Sequence, residues 1–346
     1  MKQYSSPILP SIDKKLKEHP FIVPKYLQNY NIQTLFSRLA PYYKTQMPKK
    51  ERKYIKLVDG SQTVADCFFQ PNKEARPTII VLDGFTRPNT SHFSRSISHK
   101  IYHYGFNVIL LMHRAEGGTI KLTKSLFAAY PHLDLSVALE EFFKLGLPNM
   151  YLVGFSGGGW GTLLTLGIMG KDVKKYLSGA AVISTAGDLI NMWEHVEKYP
   201  FYNWYILHTY KKTVKRRANI DPPRTWDLKK LREIKTKRKF FENYYSNHTI
   251  GTPEKKVSVE EYNKQMDSVA LLSNIQIPTL IINSYDDPVV PVTPFLHITN
   301  PNILTLLPRN GGHGGFFTTE RSYGDLDGLW AQNRAIEFIR LLEAKK

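Results

Sequence analysis

Short runs of apolar residues alternate, from Arg76 onward, with stretches in which apolar residues recur every three or four positions. Short apolar runs predict buried strands, and the longer period predicts amphipathic helices. Their alternation indicates an α/β fold with a mostly parallel central sheet flanked by helices. The strands predicted in this part span 78–82, 107–112, 150–155, 179–184, 279–283 and 303–307. The predicted helices span 93–104, 133–145, 160–169 and 326–343.

Two further strands, 54–57 and 63–69, are predicted before this part of the chain. They flank Asp59-Gly60, a dipeptide typical of a hairpin turn, so the sheet is expected to begin with an antiparallel pair. Residues 187–266 break the alternation, since they contain two or three helical segments, a Pro222-Pro223 break and no convincing strand. We interpret this stretch, called the helical insertion below, as a lid.

These patterns divide the chain into four parts: an N-terminal segment that packs on the core (1–50), the first part of the core (51–186), the helical insertion (187–266) and the second part of the core (267–346). Residues 199–207 of the insertion are dense in aromatic side chains. Two interpretations of them stay open. The rings pack the insertion onto the core, or some of them line an acyl-binding cleft.

The composition supports one large α/β domain or a domain with an insertion, because 42% of the 346 residues are hydrophobic. A single cysteine, Cys67, excludes an internal disulfide. The N-terminus has no apolar stretch long enough for a signal peptide, and no apolar run is long enough to span a membrane. We therefore expect a cytoplasmic protein, with membrane association left open.

The net charge is +17, and such an excess favours polyanionic partners. Between Lys198 and Lys256 stand sixteen lysines and arginines against five acids, so this basic segment carries most of the excess. No nucleic-acid-binding motif accompanies it, and no nucleic-acid partner is expected. The segment is either a solvated helical face or a docking face for an anionic membrane or an acidic substrate.

A glycine-flanked serine follows the predicted strand 150–155. Residues 151–159 read Tyr-Leu-Val-Gly-Phe-Ser-Gly-Gly-Gly, and a helix is predicted directly after them. This pattern between a strand and a helix is typical of a nucleophile elbow, a turn so sharp that Gly154 and Gly158 leave room where a side chain would collide. Ser156 is therefore the candidate nucleophile.

A serine nucleophile needs a base to remove its proton and a carboxylate to orient that base. His313, on the glycine-rich loop after the strand 303–307, is the candidate base. Asp286 and Asp287 follow the strand 279–283. Because the carboxyl ends of parallel strands meet at one edge of the sheet, these groups are expected near the serine. Asp287 is the preferred acid by its spacing from a following proline, and Asp286 is the alternative.

Acyl transfer also needs hydrogen-bond donors for the oxyanion of its transition state. We expect the backbone N–H of Gly157, at the start of the helix, to be one donor. The other is expected from the backbone N–H of Phe85, in the loop after the strand 78–82.

Together these motifs resemble the YheT-like branch of the α/β-hydrolase superfamily, which includes esterases and membrane-associated acylglycerol or phospholipid hydrolases and acyltransferases. The similarity covers most of the chain, from the segment 21–35 with its Gln-Thr pair to the Gly-Gly-His-Gly-Gly loop. It implies Ser156 as nucleophile, His313 as base and one aspartate of the pair at 286–287 as the orienting acid.

Asp83 departs from this family, which usually has histidine before the glycine of the oxyanion loop. An ionised carboxylate there would oppose the negative charge of the transition state. Asp83 therefore turns away to accept hydrogen bonds from its loop, or pairs with a cation such as Arg87 or Arg114, or weakens the activity.

The leading hypothesis is a serine hydrolase that cleaves carboxylic esters of acyl or lipid-like small molecules through an acyl-enzyme. Two alternatives stay open: an acyltransferase or thioesterase with the same triad, and a non-catalytic hydrolase-fold protein that binds a lipid surface or a partner. Asp83 and the basic segment favour the second alternative. The sequence contains no metal-binding cluster, phosphate loop or dinucleotide fingerprint, so no cofactor and no metal are expected.

Overall fold

The computed structural model describes residues 7–36, 38–85, 90–125, 130–221, 226–250 and 257–345, the range 247–250 by its backbone alone. Its sheet strands are Glu51–Lys56 (β1), Gln62–Phe68 (β2), Thr78–Leu82 (β3), Asn107–Leu111 (β4), Met150–Phe155 (β5), Gly179–Ile183 (β6), Thr279–Ile282 (β7) and Ile303–Leu306 (β8). They lie side by side in the order β1-β2-β4-β3-β5-β6-β7-β8. β2 pairs antiparallel with β1 and β4, and the other neighbours are parallel. The eight predicted strands and the antiparallel start of the sheet are confirmed.

Helices pack on both faces of this sheet. Those of the described residues are Leu9–Lys17 (α1), Tyr30–Phe36 (α2), His92–His103 (α3), Pro131–Phe143 (α4), Gly157–Met169 (α5), Leu189–Glu197 (α6), Pro200–Ala218 (α7), Leu228–Glu233 (α8), Lys237–Phe240 (α9), Val259–Gln265 (α10) and Trp330–Glu343 (α11), with a π-helical segment at Phe241–Ile250. Side chains of β5 alternate between the two faces: Val153 packs in the core with α1, α3 and α11, and Leu152 packs in the core with α4 and α5. All residues of β3 to β7 are buried, as expected for a sheet covered on both faces.

The four predicted core helices correspond to α3, α4, α5 and α11. The last of them begins at Trp330 rather than at 326, because Asp327 and Leu329 make contacts outside the helix. Asp327 accepts a hydrogen bond from the buried Lys100 ammonium at 2.8 Å, and Leu329 forms an isolated bridge with Phe317. The amphipathic helix α1 was not predicted, and it buries Leu9 and two further apolar side chains.

The helical insertion lies between β6 and β7 and contains α6 to α10. The expectation of two or three helical segments was too low, whereas the described part of the insertion contains no strand, as predicted. Pro222-Pro223 lies outside the described residues. Trp160 and Leu164 of α5 pack in one apolar cluster with Trp193, Phe241 and Tyr262 of the insertion. The division of the chain into four parts stays a prediction.

Several side chains of the basic segment have structural contacts. Arg217 pairs with Asp221 at 2.8 Å and donates to the carbonyl of Ile120 at 2.6 Å. Lys237 is buried and lies 3.4 Å from the carboxylate of Glu197. Some of the basic side chains therefore hold the insertion together and join it to the core, and others face solvent.

Candidate active site

The turn between β5 and α5 has the geometry of a nucleophile elbow. Ser156 has φ 51° and ψ −117°, a conformation that L-residues rarely adopt. A Cβ atom at Gly154 would lie 2.6 Å from the hydroxyl oxygen of Thr162, and one at Gly158 would collide with the carbonyl oxygens of Leu82 and Asp83. Glycine is therefore required on both sides of the serine, as the sequence pattern predicts.

His313 lies on the loop after β8 and reaches the serine. Its Nε2 atom is 3.0 Å from Oγ of Ser156. Two main-chain hydrogen bonds hold this loop: the His313 N–H donates to Oγ1 of Thr34 at 2.9 Å, and the Gly314 N–H donates to Oγ of Ser184 at 2.9 Å. The ring is nine-tenths buried, so its orientation is set by the protein.

Asp287, and not Asp286, contacts the histidine. Oδ2 of Asp287 lies 2.9 Å from Nδ1 of His313, and its Oδ1 accepts the backbone N–H groups of Val289 and Val290 at 2.7 and 3.0 Å. The carboxylate is thus satisfied on both oxygens although it is fully buried. Ser156, His313 and Asp287 form one hydrogen-bonded chain.

Asp286 points to the backbone of the histidine loop instead. It accepts the N–H of Gly312 at 2.9 Å. Burial raises the pKa of its carboxyl, although this hydrogen bond lowers it in part. Asp286 therefore binds a backbone donor of the loop that carries His313.

The loop after β3 lies directly against the elbow. A Cβ atom at Gly84 would be 3.4 Å from Cβ of Ser156, and one at Gly157 would collide with the ring of Phe85. His113 binds the main chain of this loop, since its Nε2 lies 2.8 Å from the carbonyl oxygen of Asp83. Nε2 donates this hydrogen bond, because a carbonyl oxygen can only accept, and burial lowers the pKa of the His113 ring. The structure brings the predicted donor residues Phe85 and Gly157 together, and their role stays a prediction.

The carboxylate of Asp83 turns away from the serine. It accepts hydrogen bonds from the N–H of Gly84 at 2.7 Å, from the hydroxyl of Ser94 at 2.6 Å and from the hydroxyl of Ser91. These groups belong to its own loop and the N-terminus of α3, where negative charge is favoured. Arg114 pairs with Asp134 and Asp59, and Arg87 lies outside the described residues. Of the three expectations for Asp83, the geometry matches the first, that its carboxylate turns away to accept hydrogen bonds from its own loop.

A cavity of about 320 Å³ opens over the serine. Its lining includes Ser156 and His313, and most of the remaining walls are apolar or aromatic. A smaller apolar cavity of about 40 Å³ adjoins it. The two share four lining residues, which are Phe85, Trp160, Leu189 and Tyr210. Within the aromatic stretch 199–207, Tyr202 and Tyr205 line the larger cavity, whereas Phe201 and Trp204 are exposed.

Two contacts of the site were not predicted from the sequence. Gln33 donates to the carbonyl of Phe317 at 2.9 Å and accepts its N–H at 2.8 Å. Two side chains of α2, Gln33 and Thr34, therefore bind the main chain of the histidine loop. His195 of α6 lies 2.8 Å from the carbonyl oxygen of Asp287. The sequence contained a signal for the first contact, because Gln33 and Thr34 are the Gln-Thr pair of the segment 21–35, which is part of the family resemblance.

The family model described as alpha/beta hydrolase fold matches residues 77–319, which is more than half of the chain. The chain belongs to this family. Phospholipase ABHD3 of Homo sapiens is 25% identical over 311 residues, which cover 84% of this chain and 71% of that protein. Monoacylglycerol lipase ABHD2 of Homo sapiens is 22% identical over 330 residues, which cover 87% of this chain and 76% of that protein.

The α/β-hydrolase fold is also seen in a solved structure of an esterase of Pyrococcus furiosus. It superimposes with a TM-score of 0.50 at 15% identity, over 79% of this chain and 90% of the esterase. The match to the family model confirms the superfamily prediction, and the YheT-like branch stays a prediction. Within the described ranges no helix is long and apolar enough to cross a membrane. In the same ranges, His, Cys, Asp and Glu side chains form no group of three that could hold a metal ion.

Replacing Asp83 tests whether its carboxylate stabilises the loop after β3. Asp83→Ala leaves three buried donors without an acceptor, so we expect the free energy of unfolding to fall on the order of 3 kcal/mol. Asp83→Asn keeps an acceptor oxygen and should lose less than half of that amount. Urea denaturation measures both variants. An unchanged midpoint for Asp83→Ala would show that these hydrogen bonds do not support the loop.

Proposed function

We propose that this protein is a serine hydrolase that cleaves carboxylic esters through an acyl-enzyme. The observation that carries the proposal is the hydrogen-bonded chain from Ser156 through His313 to Asp287 at the floor of a largely apolar cavity. Each side chain comes from a different loop, and each loop has its own hydrogen bonds to the core. Such a chain activates a serine hydroxyl for attack on a carbonyl carbon.

In this mechanism, Oγ of Ser156 attacks the ester carbonyl while Nε2 of His313 takes its proton. Asp287 keeps Nδ1 of the ring protonated and stabilises the imidazolium that forms. The backbone N–H groups of Gly157 and Phe85 are the proposed oxyanion donors. His313 then protonates the leaving alcohol, and water attacks the acyl-enzyme with the same histidine as base.

The proposed substrates are esters with an apolar acyl chain. The walls around the serine are mostly apolar, and the smaller adjoining cavity extends this surface towards Trp193 and Phe241 of the helical insertion. Burying a chain of methylene groups there is favourable by about 0.8 kcal/mol per group. The relatives named phospholipase and monoacylglycerol lipase support an acyl lipid as the substrate class.

We further propose that the cavity mouth contacts a lipid surface, with the helical insertion as its lid. Large apolar side chains next in sequence to residues that line the cavity are exposed: Leu39 follows Arg38 and is 80% exposed, and Trp204 of α7 precedes Tyr205 and is 58% exposed. Tyr202 of α7, which lines the cavity, donates to Asn31 of α2 at 2.8 Å, so the two helices are in contact beside the cavity. Exposed Trp and Leu side chains, with Arg38 next to Leu39 in the sequence, suit the interface of an anionic bilayer.

Labelling with a fluorophosphonate probe tests the nucleophile. The purified protein should be labelled, and Ser156→Ala should abolish labelling together with hydrolysis of p-nitrophenyl esters, because the attacking oxygen is removed. Ser273→Ala, at an exposed serine outside the site, should be labelled like the wild type. Persistent labelling of Ser156→Ala would refute the assignment.

A pair of isosteric variants tests the choice of acid. Asp287→Asn should lower kcat by about 10⁴-fold, the size of loss expected when the histidine is held in the wrong tautomer. Asp286→Asn should lose less than about tenfold, because its amide oxygen still accepts the Gly312 N–H. Initial rates on p-nitrophenyl butyrate measure both. Equal losses in the two variants would contradict the assignment of Asp287.

Vesicle binding tests the lipid-facing surface. The protein should co-sediment with vesicles of phosphatidylcholine and phosphatidylserine, and Trp204→Ser should weaken this binding by about tenfold, since a Trp side chain no longer enters the bilayer interface. Tyr323→Ser, at a ring that is 99% exposed and outside the cavity mouth, is the matched control. Binding that Trp204→Ser leaves unchanged would rule out this surface.

A further inference from the structure

Arg38 places a positive charge at the wall of the proposed active site. It follows α2, is half-buried and lines the cavity that contains Ser156. It also lines a second, small cavity of about 20 Å³, whose lining includes His313. Arg38 and His313 line both cavities, whereas Ser156 lines the larger one. Thr34, four residues before Arg38, accepts the N–H of His313 at 2.9 Å, so Arg38 follows the segment that contacts the histidine loop.

This arginine differs from the buried arginines elsewhere in the protein. Arg114 and Arg334 each pair with two carboxylates. Arg38 has no carboxylate within 4 Å among the described residues, and those that line the cavity include no aspartate or glutamate. Its guanidinium contacts Tyr205, whose hydroxyl lies 3.4 Å from a guanidinium nitrogen and whose ring centroid lies 5.3 Å from the guanidinium carbon.

A partly desolvated guanidinium without a carboxylate favours an anion from outside. The planar fork of arginine binds phosphate or carboxylate oxygens through two parallel hydrogen bonds, and such charge-assisted bonds are about twice as strong as neutral ones. In the mostly apolar surroundings of this cavity, the attraction is screened less than it would be in water.

The two ends of the cavity differ in chemistry. The apolar extension towards Trp193 and Phe241 includes neither Arg38 nor His313 in its lining. His313 is the group that protonates the leaving alcohol, so the alcohol part of an ester lies on its side of the serine. An acyl chain in the apolar extension therefore leaves the alcohol part beside Arg38.

We propose that Arg38 binds an anionic group on the alcohol part of the substrate, and that the preferred substrates are esters of an apolar acyl chain with a phosphate-bearing alcohol. This inference rests on the proposed function. Arg38 takes no part in bond breaking and acts as a specificity-determining residue that positions the ester carbonyl over Ser156.

The test compares a monoacylglycerol with the monoacylglycerol phosphate of the same acyl chain. The wild type should have the higher kcat/KM on the phosphate. Arg38→Gln should lower the ratio of kcat/KM on the phosphate to kcat/KM on the neutral ester by about tenfold to a hundredfold. Arg38→Lys, which keeps the charge but not the fork, should restore part of the ratio. Arg321→Gln, which removes one exposed positive charge outside the cavity, should leave both rates unchanged.

Binding to Ser156→Ala protein separates this inference from the proposed function, because binding needs no turnover. The phosphate ester should bind more tightly than the neutral ester, and the double variant with Arg38→Gln should lose that difference. Equal binding, or a ratio that Arg38→Gln leaves unchanged, overturns the role of Arg38 even if esters are hydrolysed. Inorganic phosphate alone should bind much more weakly than the phosphorylated lipid, and equal affinity would mean a free-anion site and would also overturn it.

Discussion

The close approach of α5 to the end of β3 is the constraint on which the site depends. Gly158 touches the main chain of Leu82 and Asp83 so closely that no side chain fits between them. This contact holds the start of α5 against the loop that carries Phe85, and it forces the sharp turn at Ser156. A positive φ at a non-glycine residue costs about 1–3 kcal/mol. The hydrogen bonds of Ser156 to Ile183 and Trp160, together with the buried strand β5, offset that cost.

The other two loops of the site are held by residues far away in the sequence. Thr34 of α2 and Ser184 at the end of β6 bind the main chain around His313, and His195 of the helical insertion binds the carbonyl of Asp287. The proposed base and acid are thus oriented from the N-terminal segment, the sheet and the insertion at once. A geometry held by three separate parts of the fold is pre-organised before any substrate binds, which is what electrostatic catalysis requires.

The cavity combines two environments that suit the two halves of the proposed ester substrate. Aromatic and aliphatic side chains line the smaller, apolar cavity, and the half-buried Arg38 lines the larger cavity outside that extension. The carboxylate of Asp83 is kept out of this space by three hydrogen bonds. In the proposed mechanism, the negative charge of the transition state therefore does not face this carboxylate, although Asp83 directly precedes Gly84 in the loop after β3.

Much of this architecture is determined by local sequence signals. Apolar runs mark each strand, glycines flank Ser156, and His313 and the pair Asp286-Asp287 follow strand ends, so the parallel sheet alone directs them to one edge. Only the tertiary structure decided which aspartate contacts His313, where the Asp83 carboxylate points and that Arg38 lies in the cavity. The physical reason is that adjacent residues on a turn point in different directions. Their partners, such as Gly312, Ser94 and Tyr205, come from elements that sequence periodicity cannot bring together.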